Sequence, residues 1–453
     1  MQVDAAGGGV GFRTADWYGG RWLIAEPGRE GLARRAVRRV LMQAFDTAVR
    51  LSHQVEVTGL EHYSRTRPTL IVASHRRDTD GPLLGSALID RRGRRPVGPL
   101  PHFVAREDLF RRGFLREYLT GWPRPLRELL GVINVAPVLE LLHAHPMRRI
   151  PERSLWETLE DVRAVCGDLP ITEVLRPRWV EEVRRLAPRG AAGLKVSDVL
   201  KRRYRPVLRL RYGLSKLTRE CFRAIKPHER QVIEAQLGRF VALLDRGESV
   251  QLEPEGTVST DGSFHRIRNG LYTLLARAKR PPPVLPVGIT YDFICSGCTR
   301  VFVNVGPELT GLEALPRREV NARVARAIRA LTTVTVSQLA TRHLLEAVGP
   351  AGGGSVTAAE LEACVAEQAL RWRRRGLQVD PRAFDERERR RRVHGYLQYC
   401  VRHGALVRRR GDVFVAGAGS RRGHGGPGEA HFLRYAHNEF DGIARCTAGA
   451  ASS

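Results

Sequence analysis

Residues 74–80 combine a histidine with two carboxylates, Asp78 and Asp80, which follow His75 at offsets of three and five. A carboxylate that accepts a hydrogen bond from the imidazole Nδ1–H leaves Nε2 free to take a proton from a substrate hydroxyl. The segment follows an aliphatic run, Thr69–Ala73, that is typical of a buried strand, so the histidine would stand at a sheet edge. These residues predict a general base; a histidine in a charged surface loop is the alternative.

A second polar segment places two glutamates, Glu253 and Glu255, beside Gly256 and Thr257. It follows the apolar run Val250–Leu252, which also predicts a strand, so these carboxylates come at a strand end as well. Carboxylates in such a place can accept hydrogen bonds from substrate hydroxyls. A charged β-turn without a ligand is the alternative interpretation.

The elements that would position these segments are short β-branched and aliphatic runs that alternate with helical patterns. This alternation predicts an α/β domain. The runs that predict strands are Thr69–Ala73, Phe103–Ala105, Gly131–Val135, Val250–Leu252, Val284–Thr290 and Val301–Val305. Helical repeats are clearest over Gln231–Leu244 and Leu271–Ala278.

The pattern divides the chain into three parts. Residues 1–55 are predicted to form an irregular arm and a basic amphipathic helix, and residues 56–310 the α/β core. Within the core, residues 138–240 are too many for one crossover and rich in arginine, so we expect an inserted helical region there. Residues 311–453 are predicted to be a helical, basic C-terminal region, interrupted by a Gly-rich linker at 349–355.

The chain is strongly basic, with 75 Lys and Arg against 48 Asp and Glu and a net charge of +27. Such an excess favours anionic partners: nucleic acid, anionic lipid or a phosphorylated substrate. From Ala33 onward, a helical repeat separates arginines from a stripe of small apolar residues. That helix could lie in a bilayer interface or pack its stripe on the protein core, and the sequence leaves both open.

In this order, the polar segments resemble the blocks of the glycerolipid acyltransferase superfamily. His75 and Asp80 match its first block, a His and an Asp separated by four residues, which selects Asp80 over Asp78. Residues 254–257 match its Pro-Glu-Gly-Thr block, and residues 285–287 match its Val-Pro-Val strand. The combination is more specific than any one of its members.

Within the superfamily, the chain looks most similar to glycerol-3-phosphate acyltransferases. His75-Arg76, the Tyr291-Asp292 pair and the late segment 433–438 carry this resemblance. It implies a mixed sheet flanked by helices. It also implies acyl transfer from acyl-CoA or acyl carrier protein to a hydroxyl of glycerol 3-phosphate, in phospholipid biosynthesis. No metal or other cofactor is expected, because a thioester is already activated.

The resemblance implies a role for each matched residue. His75 would be the general base and Asp80 would orient it, whereas Glu255, Gly256 and Thr257 would bind the acceptor.

Two phosphate-binding arginines of the family are not found where they are expected. The run 131–137 is the nearest counterpart of the second block and lacks its final arginine, and Val258 stands where the third block commonly has one. Arg106, Arg266 and Arg268 are the candidates to replace them, because guanidinium groups form paired hydrogen bonds with phosphate. A lysophospholipid such as lysophosphatidate is therefore the alternative acceptor.

Other features bear on compartment and on other classes of function. Seven cysteines in 453 residues do not make a disulfide framework, and the single CxxC pair, Cys295 and Cys298, lacks the further ligands of a structural zinc site. The N-terminus lacks a signal-peptide pattern, and no apolar run reaches the roughly 20 residues that span a bilayer. We therefore expect a cytoplasmic protein, peripheral on the inner face of the cell membrane and in contact with anionic lipid.

The alternative of a different class is a basic nucleic-acid-binding protein. Arginines crowd a predicted C-terminal hairpin around residues 405–407 and 412–415, and helical modules with basic hairpins bind DNA. Net charge by itself is unspecific, so the ordered acyltransferase blocks make nucleic acid the less favoured partner.

Overall fold

The computed structural model describes residues 31–64, 66–88, 100–111, 113–118, 123–149, 153–187, 193–295, 297–348, 354–409, 411–417 and 431–450. The predicted N-terminal arm and most of the predicted linker lie outside these residues. The strands are β1 (His53–Thr58), β2 (Leu70–Ala73), β3 (His102–Arg106), β4 (Ala144–Met147), β5 (Val250–Leu252), β6 (Val284–Asp292), β7 (Thr299–Val305), β8 (Ser355–Thr357), β9 (Leu406–Arg408) and β10 (Val413–Ala416). The α-helices are α1 (Leu32–Ser52), α2 (Asp80–Ala87), α3 (Phe114–Tyr118), α4 (Arg124–Leu130), α5 (Ala136–Leu141), α6 (Leu155–Cys166), α7 (Ile171–Val174), α8 (Pro177–Arg185), α9 (Val196–Val199), α10 (Arg205–Leu208), α11 (Arg219–Asp245), α12 (Asn269–Arg277), α13 (Arg317–Ala330), α14 (Val336–Val348), α15 (Ala358–Arg374), α16 (Glu386–Arg402) and α17 (Phe432–Ala450).

The main sheet has seven strands in the order β1-β7-β6-β2-β5-β3-β4. From β6 to β4, each strand is parallel to its neighbours, whereas β7 runs antiparallel to β6 and parallel to β1. The predicted α/β fold with a mixed sheet flanked by helices is confirmed. Because parallel strands end at the same edge, the segments that follow β2, β4, β5 and β6 come together there.

Helices cover both faces of this sheet. Alternation along β2 places Leu70 and Val72 in one apolar cluster, with helices α11, α12 and α13, and Ile71 and Ala73 in another, with α1 and α2. All four residues of β2 are fully buried. The central position of β2 explains its continuous aliphatic sequence, which is typical of a parallel strand that is buried on both faces.

Five of the six predicted strands are present, and the one at Gly131–Val135 is wrong. There the chain turns between α4 and α5, and Asn134 Oδ1 accepts a hydrogen bond from the N–H of Ala136 at 3.1 Å. The neighbour of β3 is instead β4, which contains Pro146. Its composition does not favour a strand, so its pairing with β3 at the sheet edge decides its conformation.

Several helices and strands do not coincide with the predicted boundaries between the parts of the chain. Residue 55 lies inside β1, and β4 belongs to the main sheet although it lies within 138–240. Helices α6 to α10 and the start of α11 form an apolar cluster of their own, within the range where a helical insertion is predicted. In the region 311–453, α13 packs on the main sheet, while α14 to α17 share a separate core with the small sheet β8-β10-β9.

The predicted amphipathic helix α1 packs on the protein through a narrow face that includes Val49. Most of its apolar stripe faces outward: Val37 is 51% exposed, Val40 64% and Phe45 37%. Among the described residues, therefore, most of this stripe does not pack on the core. None of the helices in the described residues combines the length and the apolar composition that a membrane span requires.

Candidate active site

His75 lies where the central strand β2 leaves the sheet, and its side chain is buried. Ser74 holds this exit point, because its hydroxyl accepts a hydrogen bond from the N–H of Ile289 at 3.0 Å on the neighbouring strand β6. The backbone of His75 is therefore fixed against the sheet before the chain turns into the loop that leads to α2.

Asp80 collects hydrogen-bond donors from the whole loop. Its Oδ2 lies 3.1 Å from His75 Nδ1 and accepts backbone N–H groups from Arg76 at 2.5 Å and Arg77 at 2.8 Å. Its Oδ1 accepts the hydroxyl of Tyr291 at 2.8 Å. Asp80 is fully buried at the start of α2, where the helix dipole also favours a negative charge. The structure thus brings His75 together with Asp80.

The other nitrogen of the imidazole contacts an arginine. Arg149 Nη2 lies 2.9 Å from His75 Nε2. A guanidinium can only donate, so Nε2 must accept, and the imidazole proton must be on Nδ1, directed at Asp80. This is the tautomer that a general base requires. Arg149 follows β4, so it reaches the loop of His75 from the end of another strand of the sheet.

The pKa of His75 is raised above its ordinary value. Burial opposes protonation of the ring and is the largest single influence, but the hydrogen bond to Asp80 and the negative charges of Glu253 and Asp80 outweigh it. Arg149 acts in the opposite direction and lowers the pKa. For a carboxyl group, burial acts in the other direction: it raises the pKa of Glu253, which therefore takes up a proton more readily than usual.

Glu255 joins the two polar loops. One carboxylate oxygen accepts the backbone N–H of His75 at 3.0 Å, and the other accepts the N–H of His265 at 2.6 Å. The residue is fully buried. Glu255 therefore positions the loop of His75; its contact with the acceptor stays a prediction. The next residue, Gly256, has a φ of +70°, a conformation that glycine adopts without strain.

The remaining predicted arginines point in different directions. Arg106 pairs with Asp108 at 2.5 Å and with Asp78 at 3.4 Å. Arg268 donates from Nε to the carbonyl of Glu255 at 3.3 Å, which places it beside the loop that follows β5. Arg266 is exposed and lines a separate cleft against α13.

Thr257 is half-buried in the same loop, next to Gly256. It lies between Glu255, which contacts the loop of His75, and Ser259, whose N–H donates to the carbonyl of His75 at 3.1 Å. The predicted acceptor segment therefore lies directly against the loop that carries His75.

A buried cluster of charges holds the segment that carries Arg149. Arg148 donates to Glu107 at 3.1 Å and to Asp161 at 2.9 Å, and Arg153 contacts both Asp161 and Glu229. Burial raises the pKa of Glu229 to about 7, whereas the two arginines outweigh burial at Asp161 and lower its pKa. The cluster ties the end of β4 to the insertion helices α6 and α11, which restricts where Arg149 can reach.

The C-terminal helix α17 completes the back of the site. Arg76, next to His75 in the chain, is buried and pairs with Glu439 at 3.2 Å, and it donates to the carbonyl of Gly262 at 3.0 Å. Gly262 has a φ of +84°, and a Cβ there would lie 2.1 Å from the carbonyl oxygen of Tyr435. Residues 433–438 thus pack directly against the loop that follows Glu255.

The sequence analysis did not assign Arg149 or Glu439 to the site. The arginine pair 148–149 was visible in the sequence, but the strand that precedes it has no recognisable pattern. Glu439 lies close to the segment 433–438 that was matched, and its partner Arg76 follows the predicted base.

Comparisons with known proteins give a likeness among solved structures only at low sequence identity. No protein-family model matches the sequence, and no curated protein matches it. Among solved structures, the chain is similar to the crystal structure of the 1-acyl-sn-glycerophosphate (LPA) acyltransferase PlsC from Thermotoga maritima. The identity is 15%, the match covers 65% of this chain and 78% of that chain, and the TM-score is 0.33.

Proposed function

We propose that this chain is an O-acyltransferase that moves a fatty acyl group from a thioester to a hydroxyl of glycerol 3-phosphate. The observation that carries the proposal is the contact series Arg149, His75 and Asp80, with 2.9 Å between the first pair and 3.1 Å between the second. It combines an oriented base with a cation suited to phosphate, and both lie at the edge of the sheet where four strand ends meet.

In the proposed reaction, His75 Nε2 takes the proton of the acceptor hydroxyl as its oxygen attacks the thioester carbonyl. Asp80 keeps the proton on Nδ1 and stabilises the imidazolium that forms. When the tetrahedral intermediate collapses, the C–S bond breaks and the imidazolium returns its proton to the leaving thiolate. Base catalysis of this kind is typically worth about 10² to 10⁴ in rate.

Arg149 is the proposed phosphate ligand. In the free enzyme its guanidinium covers Nε2, the atom that must accept the proton. The phosphate of the acceptor would draw the guanidinium away and bring the hydroxyl to the vacated position, because a charge-assisted pair with phosphate is stronger than a hydrogen bond to a neutral imidazole. Arg106, Arg268, Gly256 and Thr257 are proposed to contact the rest of the acceptor.

A lysophospholipid is the second candidate acceptor, and the exposed apolar surface favours it. Besides the stripe of α1, Leu129 is 67% exposed near the end of α4, and Val132 is 80% exposed in the turn that follows. Exposed apolar residues of this kind, on a strongly basic protein, suit an anionic bilayer from which a lipid acceptor would come. We propose peripheral contact with the inner face of the cell membrane.

The test is turnover by purified His75→Ala, with His394→Ala as the matched control, because His394 is exposed on α16. Palmitoyl transfer to glycerol 3-phosphate and to lysophosphatidate is measured with palmitoyl-CoA and with palmitoyl carrier protein. We expect a loss of about 10² or more for His75→Ala with every active pair and no loss for the control. Near-wild-type turnover by a folded His75→Ala variant would exclude the mechanism, and the pair of acceptors separates the two candidates.

A further inference from the structure

A basic cleft lies beside the candidate active site, between α13 and residues 264–267. It encloses about 350 Å³ and is lined by four arginines, Arg266, Arg317, Arg318 and Arg329. In the described part of the chain, no carboxylate is among its lining residues. A recess that gathers four positive charges without an acid suits a ligand with several negative charges.

The shape of the cleft follows from the face of α13 that forms it. The lining positions 317, 318, 321, 322, 325 and 329 lie along one side of the helix. At 1.5 Å per residue, the side from Arg317 to Arg329 is about 18 Å long. Ala322 and Ala325 lie between the two ends, and their small side chains make the middle concave. The cleft therefore suits an extended molecule that is anionic near its ends.

One end of the cleft carries a flat surface. The guanidinium of Arg329 lies over the ring of Phe264, 4.8 Å from its centroid. A purine or pyrimidine ring stacks on aromatic rings and on guanidinium groups alike, so this cation–π pair can serve as a platform for one.

The cleft is adjacent to the reacting atoms but separate from them. His265, in its wall, donates its backbone N–H to Glu255 at 2.6 Å, and the other oxygen of Glu255 accepts the N–H of His75 at 3.0 Å. The acceptor phosphate has its own proposed ligand in Arg149, which contacts His75 directly. A molecule in the cleft would thus place its remote end there and direct its reactive end towards His75.

We propose that this cleft binds the phosphorylated nucleotide end of a coenzyme A thioester, the acyl donor. The inference rests on the proposed function. Three features together favour a nucleotide over an acidic carrier protein or a lipid surface: the arginines, the flat platform, and a volume within the roughly 300–1,000 Å³ of small-molecule sites. A carrier protein or a bilayer would contact a protruding basic surface rather than fill a recess.

The experiment measures binding directly, so it does not depend on turnover. The full chain is titrated calorimetrically with adenosine 3′,5′-bisphosphate, which has the nucleotide and phosphates of the donor but no thioester. Arg266→Gln and Arg318→Gln are the test variants, because both side chains are exposed and their loss leaves the core intact. Arg326→Gln is the charge-matched control: it is exposed on α13 but does not line the cleft.

We expect each test variant to raise the Kd for the bisphosphate about tenfold, as the loss of a charge-assisted hydrogen bond predicts, with no change for the control. The KM for acyl-CoA should rise in parallel, while the KM for the acceptor stays within about twofold. Absence of binding to the unmodified chain, or equal Kd values for test and control variants, would overturn the inference.

Two further outcomes separate this inference from its alternatives. If Arg266→Gln and Arg318→Gln weaken binding to phosphatidylglycerol vesicles or to acyl carrier protein but not to the bisphosphate, the cleft serves those partners and the nucleotide assignment is wrong. If binding depends on the arginines as expected but no acyl transfer is detected, the nucleotide site stands and the proposed function fails.

Discussion

Replacing Asp80 by asparagine isolates the electrostatic contribution of its carboxylate to His75. The aspartate accepts four hydrogen bonds, from His75, Tyr291 and two backbone N–H groups. Asparagine keeps one carbonyl oxygen for the three N–H donors, and its NH₂ group can face Tyr291, whose hydroxyl can turn and accept. The fold should therefore survive, with a loss of about 1–3 kcal/mol in the free energy of unfolding.

The expected loss of rate follows from the charge that is removed. A hydrogen bond to a charged group contributes about 1.5–3 kcal/mol, so its loss from the imidazolium should slow acyl transfer roughly 10- to 150-fold. If the substitution also lets the imidazole ring rotate out of position, the loss of rate can reach the full contribution of a general base, about 10⁴-fold. The assay is kcat for palmitoyl transfer, with unfolding by urea measured on the same samples.

The pH dependence of the rate is an independent test of the pairing between His75 and Asp80. The proposed acyl transfer needs neutral His75, and the pKa of His75 is raised in the folded protein. The rate should therefore increase with pH and level off above an apparent pKa that exceeds the ordinary value of about 6.5. Since Asp80 raises that pKa, Asp80→Asn should shift the acid limb to lower pH while it lowers the plateau.

Asp78→Asn is the matched control, because Asp78 lies in the same loop and forms an exposed ion pair with Arg106 at 3.4 Å. Its rate should stay within about threefold of the unmodified enzyme, as expected for an exposed ion pair. Equal losses for Asp78→Asn and Asp80→Asn, or a plateau for Asp80→Asn within threefold of the unmodified enzyme, would refute the assigned pairing.

Three other changes test neighbouring parts of the structure. Arg149→Gln should raise the KM for the phosphorylated acceptor about tenfold and, because Arg149 lowers the pKa of His75, shift the acid limb to higher pH; an unchanged limb would argue against the contact. Gly262→Ala puts a Cβ 2.1 Å from a carbonyl oxygen of α17, so it should lower the free energy of unfolding measured in urea. The decrease should exceed that of Gly376→Ala, because Gly376 also has a positive φ but has open space around it. Val40→Asp on the exposed stripe of α1 should weaken binding to anionic vesicles about tenfold in sedimentation assays; unchanged sedimentation would remove α1 from the membrane contact.

Local sequence was sufficient for the central part of the fold. β2, β5 and β6 are aliphatic runs because they are buried between helices, so their positions could be predicted from composition. The helices α1 and α13 could be predicted in the same way, from a periodicity that does not depend on distant contacts. At the sheet edge, the prediction of strands from composition failed. The strand β4 forms through its pairing with β3, whereas residues 131–135 have a strand-like composition but pair with no described strand.

The proposed pair of base and carboxylate was likewise visible in the sequence, since His75 and Asp80 are five residues apart on one loop. A short loop between a strand and a helix allows few conformations, so sequence spacing limits which carboxylate can reach the imidazole.

Only the tertiary structure decided what surrounds that pair. Arg149 reaches His75 across 74 positions, Glu255 across 180, and Glu439 reaches Arg76 from the last helix. None of these contacts has a local signal, because each depends on strand order, on the buried charges that hold β4 against the insertion, or on the packing of α17. The sequence alone therefore determined a histidine–aspartate pair at a strand end, and tertiary packing determined the arginine, the bracing glutamate and the C-terminal helix around it.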